Sequence, residues 1–171
     1  RAALELPADA AQLRVWLAPD AASLAFSRWT DALVEHPYGC VEQTVSAAFP
    51  QLFLGKLLDL TPEKLARVET NVKAALERLR RFQASDGGFD YWPGDDDSAD
   101  WATNYAGHFA VEAQKAGYLP PPGLLDQWTS FQRRRARGWV SGEGQAELTQ
   151  AYRLFTLALA GAAELPAMNQ L

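Results

Sequence analysis

The chain has one cysteine, Cys40, and two histidines, His36 and His108, in 171 residues. A single thiol excludes an internal disulfide, and it excludes a zinc site of the usual two-to-four-cysteine kind. No apolar run approaches the roughly 20 residues that a helix needs to span a bilayer. Nor does a charged-then-apolar leader open the chain, which starts directly at Arg1-Ala2-Ala3-Leu4. Basic residues are not in excess: 16 Lys and Arg stand against 21 Asp and Glu, a net charge of -5. Such a chain offers no broad cationic surface, so nucleic acid is not an expected partner. The one basic run, Arg133-Arg134-Arg135-Ala136-Arg137, reads as a solvated helix face or helix end rather than an anion site. What is present is an ordinary globular composition, 48% hydrophobic and 22% charged, enough for one domain with a core.

Periodicity places helices along most of that domain. Residues 4–16 alternate loosely and read as a short strand or an extended entry segment, so that residues 1–17 are set apart from a domain over 18–171. Asp20 is a candidate N-cap for an amphipathic helix over 21–35, ended by His36-Pro37. A second helix is expected from Gly39-Cys40 to about Phe49, interrupted at Pro50, with the apolar stretch continuing to Leu60. Thr61-Pro62-Glu63-Lys64 combines a capping threonine with proline at the first helical position. The helix it starts is expected to reach Gln83, with Leu65, Val68, Val72, Ala75, Leu76 and Leu79 as its core face. Further helices are expected over 100–116 (capped by Ser98 or Asp100), 122–137 and 145–162, separated by a Gly- and Asp-rich loop, a triple-proline connector and a Gly-rich loop. The segments Asn104–Gly117 and Gln150–Gly161 are loosely alike, each a Tyr- and Phe-bearing helix that stops at Ala-Gly. With no strand expected after residue 17, the fold class is all-α, built of helical hairpins.

The chemistry centres on Cys40. Gln43 follows it by three residues, and positions i and i+3 share one face of a helical turn. The thiol is then within reach of the carboxamide carbon, and displacement of ammonia would leave an internal thioester. Gly39 lets the backbone enter the turn without steric cost, and Tyr38 is a candidate screen against water. Backbone N–H groups at a helix start suit the polarisation of the acyl carbonyl. Taken alone, a lone cysteine is more often a small buried hydrophobe. The cluster Asp95-Asp96-Asp97-Asp100 lacks the alternating ligands, central glycine and terminal glutamate of a calcium loop and reads as a solvated loop. No metal and no cofactor is expected.

Pro37-Tyr38-Gly39-Cys40-Val41-Glu42-Gln43-Thr44 closely resembles the thioester signature of the α2-macroglobulin and complement superfamily. Gly39, Cys40, Glu42 and Gln43 match its fixed positions, and Pro37, Tyr38 and Thr44 match the wider pattern of its bacterial branch. Leu17-Ala18-Pro19-Asp20, Phe82–Phe89 and Leu148–Leu154 extend the resemblance over nearly the whole chain. It implies an α/α toroid of paired helices, of which 171 residues would be the N-terminal portion. It further implies a thioester between Cys40 and Gln43 that captures amines of an attacking protease after the parent protein changes shape. The partners would be proteases and other domains of the same parent chain. The setting would be extracytoplasmic, periplasmic in a bacterium, with any membrane contact through a tether outside this sequence. Some family members add a later histidine that redirects the thioester to hydroxyls. Neither His36 nor His108 stands in a matching segment, so direct aminolysis is expected, with a modulating role left open for both. Two other readings remain at this level: an acyl transferase with Cys40 as nucleophile and His36 or His108 as base, and a helical scaffold with an inert thiol.

Overall fold

The computed structural model describes residues 33–34, 36–94, 96–141 and 146–171. The entry segment over 1–17, Asp20, the helix over 21–35 except Leu33 and Val34, and Asp95 lie outside them. Among the described residues seven helices follow in order: α1 (Val41–Ala48), α2 (Gln51–Leu57), α3 (Pro62–Leu79), α4 (Asp100–Lys115), α5 (Leu124–Arg137), α6 (Ala146–Leu159) and the short α7 (Leu165–Met168). Among the described residues there is no strand; an isolated antiparallel bridge joins Gln83 and Phe89. The all-α class holds. α7 has no counterpart in the expected elements.

Local chemistry sets the element ends. Thr61 caps α3 by accepting from Lys64 N at 3.4 Å, with Pro62 at the first position. Its core face is Val68, Val72, Ala75, Leu76 and Leu79, whereas Leu65, expected with them, is 47% exposed. The helix stops at Leu79 rather than at Gln83. Arg81 N and Phe82 N fold back onto the carbonyls of Arg78 and Leu79 at 3.0 Å each, which sends the Phe82 ring into the core. The chain is then committed to a tight turn in which Ala84 N donates to Gly88 O at 2.9 Å and Gly87 takes φ +96°. α4 is not capped by Ser98 or Asp100. Its N-cap is Ala99, because Ser98 Oγ donates to Asp86 at 2.6 Å and the Asp100 carboxylate turns to arginines.

α1 packs against α3 and α4, and α4 packs against α5 and α6. The two similar segments meet face to face: Asn104 Nδ2 donates to Thr149 O at 3.1 Å, and His108 Nδ1 lies 3.0 Å from the Tyr152 hydroxyl. Trp128 of α5 is fully buried against α4, its indole N–H donating to Thr103 O at 2.9 Å. That approach requires Gly107, where a Cβ would stand 2.0 Å from the Trp128 ring. The resulting core, with Val45, Val72, Leu79, Phe89 and Phe109 near its middle, lies directly behind the first turn of α1.

Candidate functional site

α1 begins at the motif. Gly39 takes φ +82°, a left-handed conformation that a side chain disfavours, and Cys40 is the N-cap with extended backbone. Cys40 and Gln43 occupy the two positions of a capping box: Cys40 N donates to Gln43 Oε1 at 3.1 Å. The carboxamide is thereby folded back over the turn. Its oxygen fills the space of the missing side chain at Gly39, where a Cβ would lie 1.9 Å from Oε1 and 2.8 Å from the carboxamide carbon. The structure thus brings Gly39, Cys40 and Gln43 into one unit, with the electrophilic carbon of Gln43 held by a backbone donor. Cys40 is half-buried and Gln43 is exposed.

Three neighbouring elements hold this turn. Arg78 of α3 donates through Nη2 to Gly39 O at 2.7 Å and through Nε to Thr44 Oγ1 at 3.2 Å. Its guanidinium also lies over the Phe82 ring, 5.5 Å from the centroid. Val41 N donates to Tyr91 O at 3.1 Å. Trp101 of α4 donates its indole N–H to Glu42 Oε1 at 2.9 Å, a structural role for a motif residue that the sequence left without one. Burial raises the Tyr91 phenol above its ordinary value, with Glu42, Cys40 and Asp90 adding to the effect.

The remaining expected residues sit elsewhere. Tyr38 is 69% exposed and packs on the His36 ring, centroids 4.6 Å apart, so among the described residues it does not cover the turn. His108 lies on α4 among Phe49, Tyr152 and Phe155. Burial pushes its imidazole below the ordinary value, outweighing Glu112, so it is neutral at pH 7. Burial likewise pushes its partner Tyr152 up to about 12. Neither histidine hydrogen-bonds Cys40 among the described residues.

The arginines of the basic run are exposed at the C-terminal end of α5, as expected, and they also make ion pairs and hydrogen bonds. Arg133 and Arg137 both pair with Glu164, which is 5% exposed, at 2.6 and 2.9 Å. Arg134 donates to Asp86 O at 2.7 Å, and Arg135 pairs with Asp100 at 3.1 Å. Asp100 also pairs with Arg153 Nη2 at 2.7 Å. Within the acidic loop, Asp96 accepts from Ser85 N and Oγ at 2.7 and 2.8 Å. Among the described residues, no group of three or more His, Cys, Asp or Glu side chains could hold a metal.

Asp100 carries a pH dependence. Burial pushes its carboxyl up, but the hydrogen bond from Arg135 and the charge of Arg153 outweigh this and hold it below the ordinary value. A carboxylate depressed in the folded state adds stability that is complete above its unfolded pKa and is lost as pH falls through the folded one. Tm is therefore expected to fall between about pH 5 and pH 3. Thermal melts of Asp100→Asn should start lower at neutral pH and lose less over that interval.

Sequence reasoning missed Arg78, Tyr91 and Trp101. Arg78 left a trace: an arginine on the buried face of an amphipathic helix, beside Ala75 and Leu79, needs an internal partner. Trp101 and Tyr91 left none, because their partners come from distant parts of the chain.

Comparison with known proteins bears on the same turn. Residues 19–147 match the A-macroglobulin TED domain. The chain is 31% identical to the alpha-2-macroglobulin of Escherichia coli K12 over 108 residues, 61% of this chain and 6% of that protein. Among solved structures, Salmonella alpha-2-macroglobulin reacted with methylamine superposes with a TM-score of 0.70 at 26% identity, over 84% of this chain and 10% of that one. Trypsin-activated alpha-2-macroglobulin from Escherichia coli gives a TM-score of 0.66 at 28% identity, over 78% of this chain and 10% of that one. The chain spans about a tenth or less of the length of each of these three proteins. With most of its residues inside the family match, and with a helical architecture shared with these structures, the chain belongs to the A-macroglobulin TED domain family in its bacterial alpha-2-macroglobulin branch.

Proposed function

We propose that Cys40 and Gln43 form an internal thioester and that the domain is the covalent-capture module of a protease inhibitor. The observation that carries this is the hydrogen bond from Cys40 N to Gln43 Oε1 over a glycine that leaves room for the carboxamide. In forming the bond, Cys40 Sγ attacks the Gln43 carboxamide carbon. An S–C bond forms, the C–N bond breaks, and ammonia leaves with the thiol proton. In capture, an amine nitrogen attacks the same carbon. An amide forms, the C–S bond breaks, and the amine proton returns to the Cys40 sulfur. The backbone donor at 3.1 Å sits where the carbonyl oxygen gains charge in both steps.

The relatives support the wider reading. One is described as reacted with methylamine, the simplest amine, and another as activated by trypsin. On this reading the chemistry is self-modification followed by one stoichiometric capture, not turnover. The target is an amine such as a protease lysine, since no histidine engages Cys40 among the described residues. The exposure of Gln43 and Tyr38 fits a bond shielded by a further domain of the parent chain, in an extracytoplasmic, periplasmic setting. The family match starting at residue 19 supports a domain boundary near residue 18.

The test is to mix the full parent chain with trypsin and resolve the products in SDS with reductant. The expected result is an adduct linked from Gln43 to a protease lysine and absent in Cys40→Ala. An adduct that persists in Cys40→Ala, or none with the native protein, would contradict the proposal.

A further inference from the structure

The peptide bond between Gly39 and Cys40 is engaged at both ends. Its carbonyl oxygen, Gly39 O, accepts from Arg78 Nη2 at 2.7 Å. Its N–H, on Cys40, donates to Gln43 Oε1 at 3.1 Å. A peptide group is planar, so fixing the direction of its carbonyl fixes the direction of its N–H. A cation on the carbonyl also draws electron density along the group and strengthens the N–H as a donor.

From this chain of contacts we infer that Arg78 is a positioning residue for the thioester: acting through the Gly39–Cys40 peptide, it aims and strengthens the donor that polarises the Gln43 carbonyl. The inference rests on the thioester reading and assigns it a residue outside the motif. Arg78 itself does not touch the reacting atoms in the contacts described.

The side chain is built for a fixed aim. It projects from the long helix α3, close to the C-terminal end of that helix. Its Nε donates to the buried Thr44 hydroxyl at 3.2 Å, and its guanidinium rests over Phe82 at 5.5 Å. The Thr44 hydroxyl in turn points at Tyr38 O, 3.5 Å away. One guanidinium thus ties the residues before Cys40 to the helix after it. A planar fork with several donors can do this, and a lysine ammonium, a single point donor on a flexible stem, can do only part of it.

The experiment uses the full parent chain and reads two quantities: the fraction carrying the thioester, from intact mass, and the rate of methylamine incorporation at Gln43. Arg78→Gln is expected to lower that rate about ten-fold, the loss of an indirect share of one carbonyl donor. Arg78→Lys is expected to recover a large part of it. Leu76→Ala, a core truncation on the same helix and outside the site, controls for stability: its Tm should fall while the rate stays within about two-fold, since helix stability by itself does not aim the donor. The inference is overturned if Arg78→Gln reacts at the native rate, or if Leu76→Ala slows incorporation as much as Arg78→Gln does. A native protein with no thioester would overturn the thioester reading and the inference together, and the mass of the unsubstituted chain reports that outcome separately.

Discussion

Gly39→Ala is expected to abolish methylamine incorporation at Gln43 while leaving the helical fold in place. Two effects combine at this position. The backbone sits at φ +82°, where an L side chain costs roughly 1–2 kcal/mol. The added Cβ would also stand 1.9 Å from Gln43 Oε1 and 2.8 Å from the carboxamide carbon. The nearest atoms belong to a flexible side chain, so the fold accommodates the methyl by expelling the carboxamide rather than by moving helices. Expulsion breaks the hydrogen bond from Cys40 N and carries the electrophilic carbon away from the thiol. A small loss of Tm with complete loss of amine incorporation is therefore the predicted pattern. Incorporation at the native rate in a folded Gly39→Ala protein would show that the carboxamide reacts from a different position.

The largest expected loss of stability comes from Arg153→Met. Arg153 is 2% exposed and stands at the centre of a polar network between α4, α5 and α6. Its Nε donates to Gln132 Oε1 at 2.9 Å and its Nη1 to Gln150 Oε1 at 2.7 Å, while Nη2 pairs with Asp100 at 2.7 Å. Gln132 continues the network to Asn104 Oδ1 at 2.6 Å, and Gln150 to Ala136 O at 3.0 Å. Burial pushes the guanidinium below its ordinary value, with Asp100 opposing this and Arg135 adding to it. Methionine fills much of the volume but leaves two buried amide oxygens without their donor and Asp100 with only Arg135. Each buried amide oxygen left unpaired costs about 1–3 kcal/mol, and Asp100, a third exposed and still paired with Arg135, adds less; together this is enough to lower Tm by several degrees. Chemical denaturation of Arg153→Met beside the double variant Asp100→Asn/Arg153→Met measures the pair. The double variant is expected to be less destabilised than the sum of the single ones.

The same contrast explains which features could be read from the chain. The Thr61-Pro62 start of α3 was legible because cap and proline act within one turn, and Gly39, Cys40 and Gln43 were legible because i and i+3 meet on any helix. Helix ends set by tertiary packing were not: α3 gives up its last residues so that Phe82 can enter the core. The supports of the site were also hidden, since Arg78 lies 39 residues from Gly39 and Trp101 lies 59 from Glu42. Tyr38 shows the opposite failure. Adjacency to Cys40 suggested a screen, yet the ring is largely exposed and packs on His36. The basic run is exposed at a helix end, as read, but its partners Glu164, Asp100 and the Asp86 carbonyl come from three separate parts of the chain and could not be read from it.

Intact-mass spectrometry of the freshly prepared native protein, before and after methylamine and with iodoacetamide added at each stage, tests the central claim most directly. An internal thioester gives a mass lower than the sequence by one ammonia, no alkylation of Cys40, and then gain of one methylamine together with a thiol that alkylates at once. A native protein of full sequence mass whose Cys40 alkylates immediately, with no methylamine gained, would contradict it.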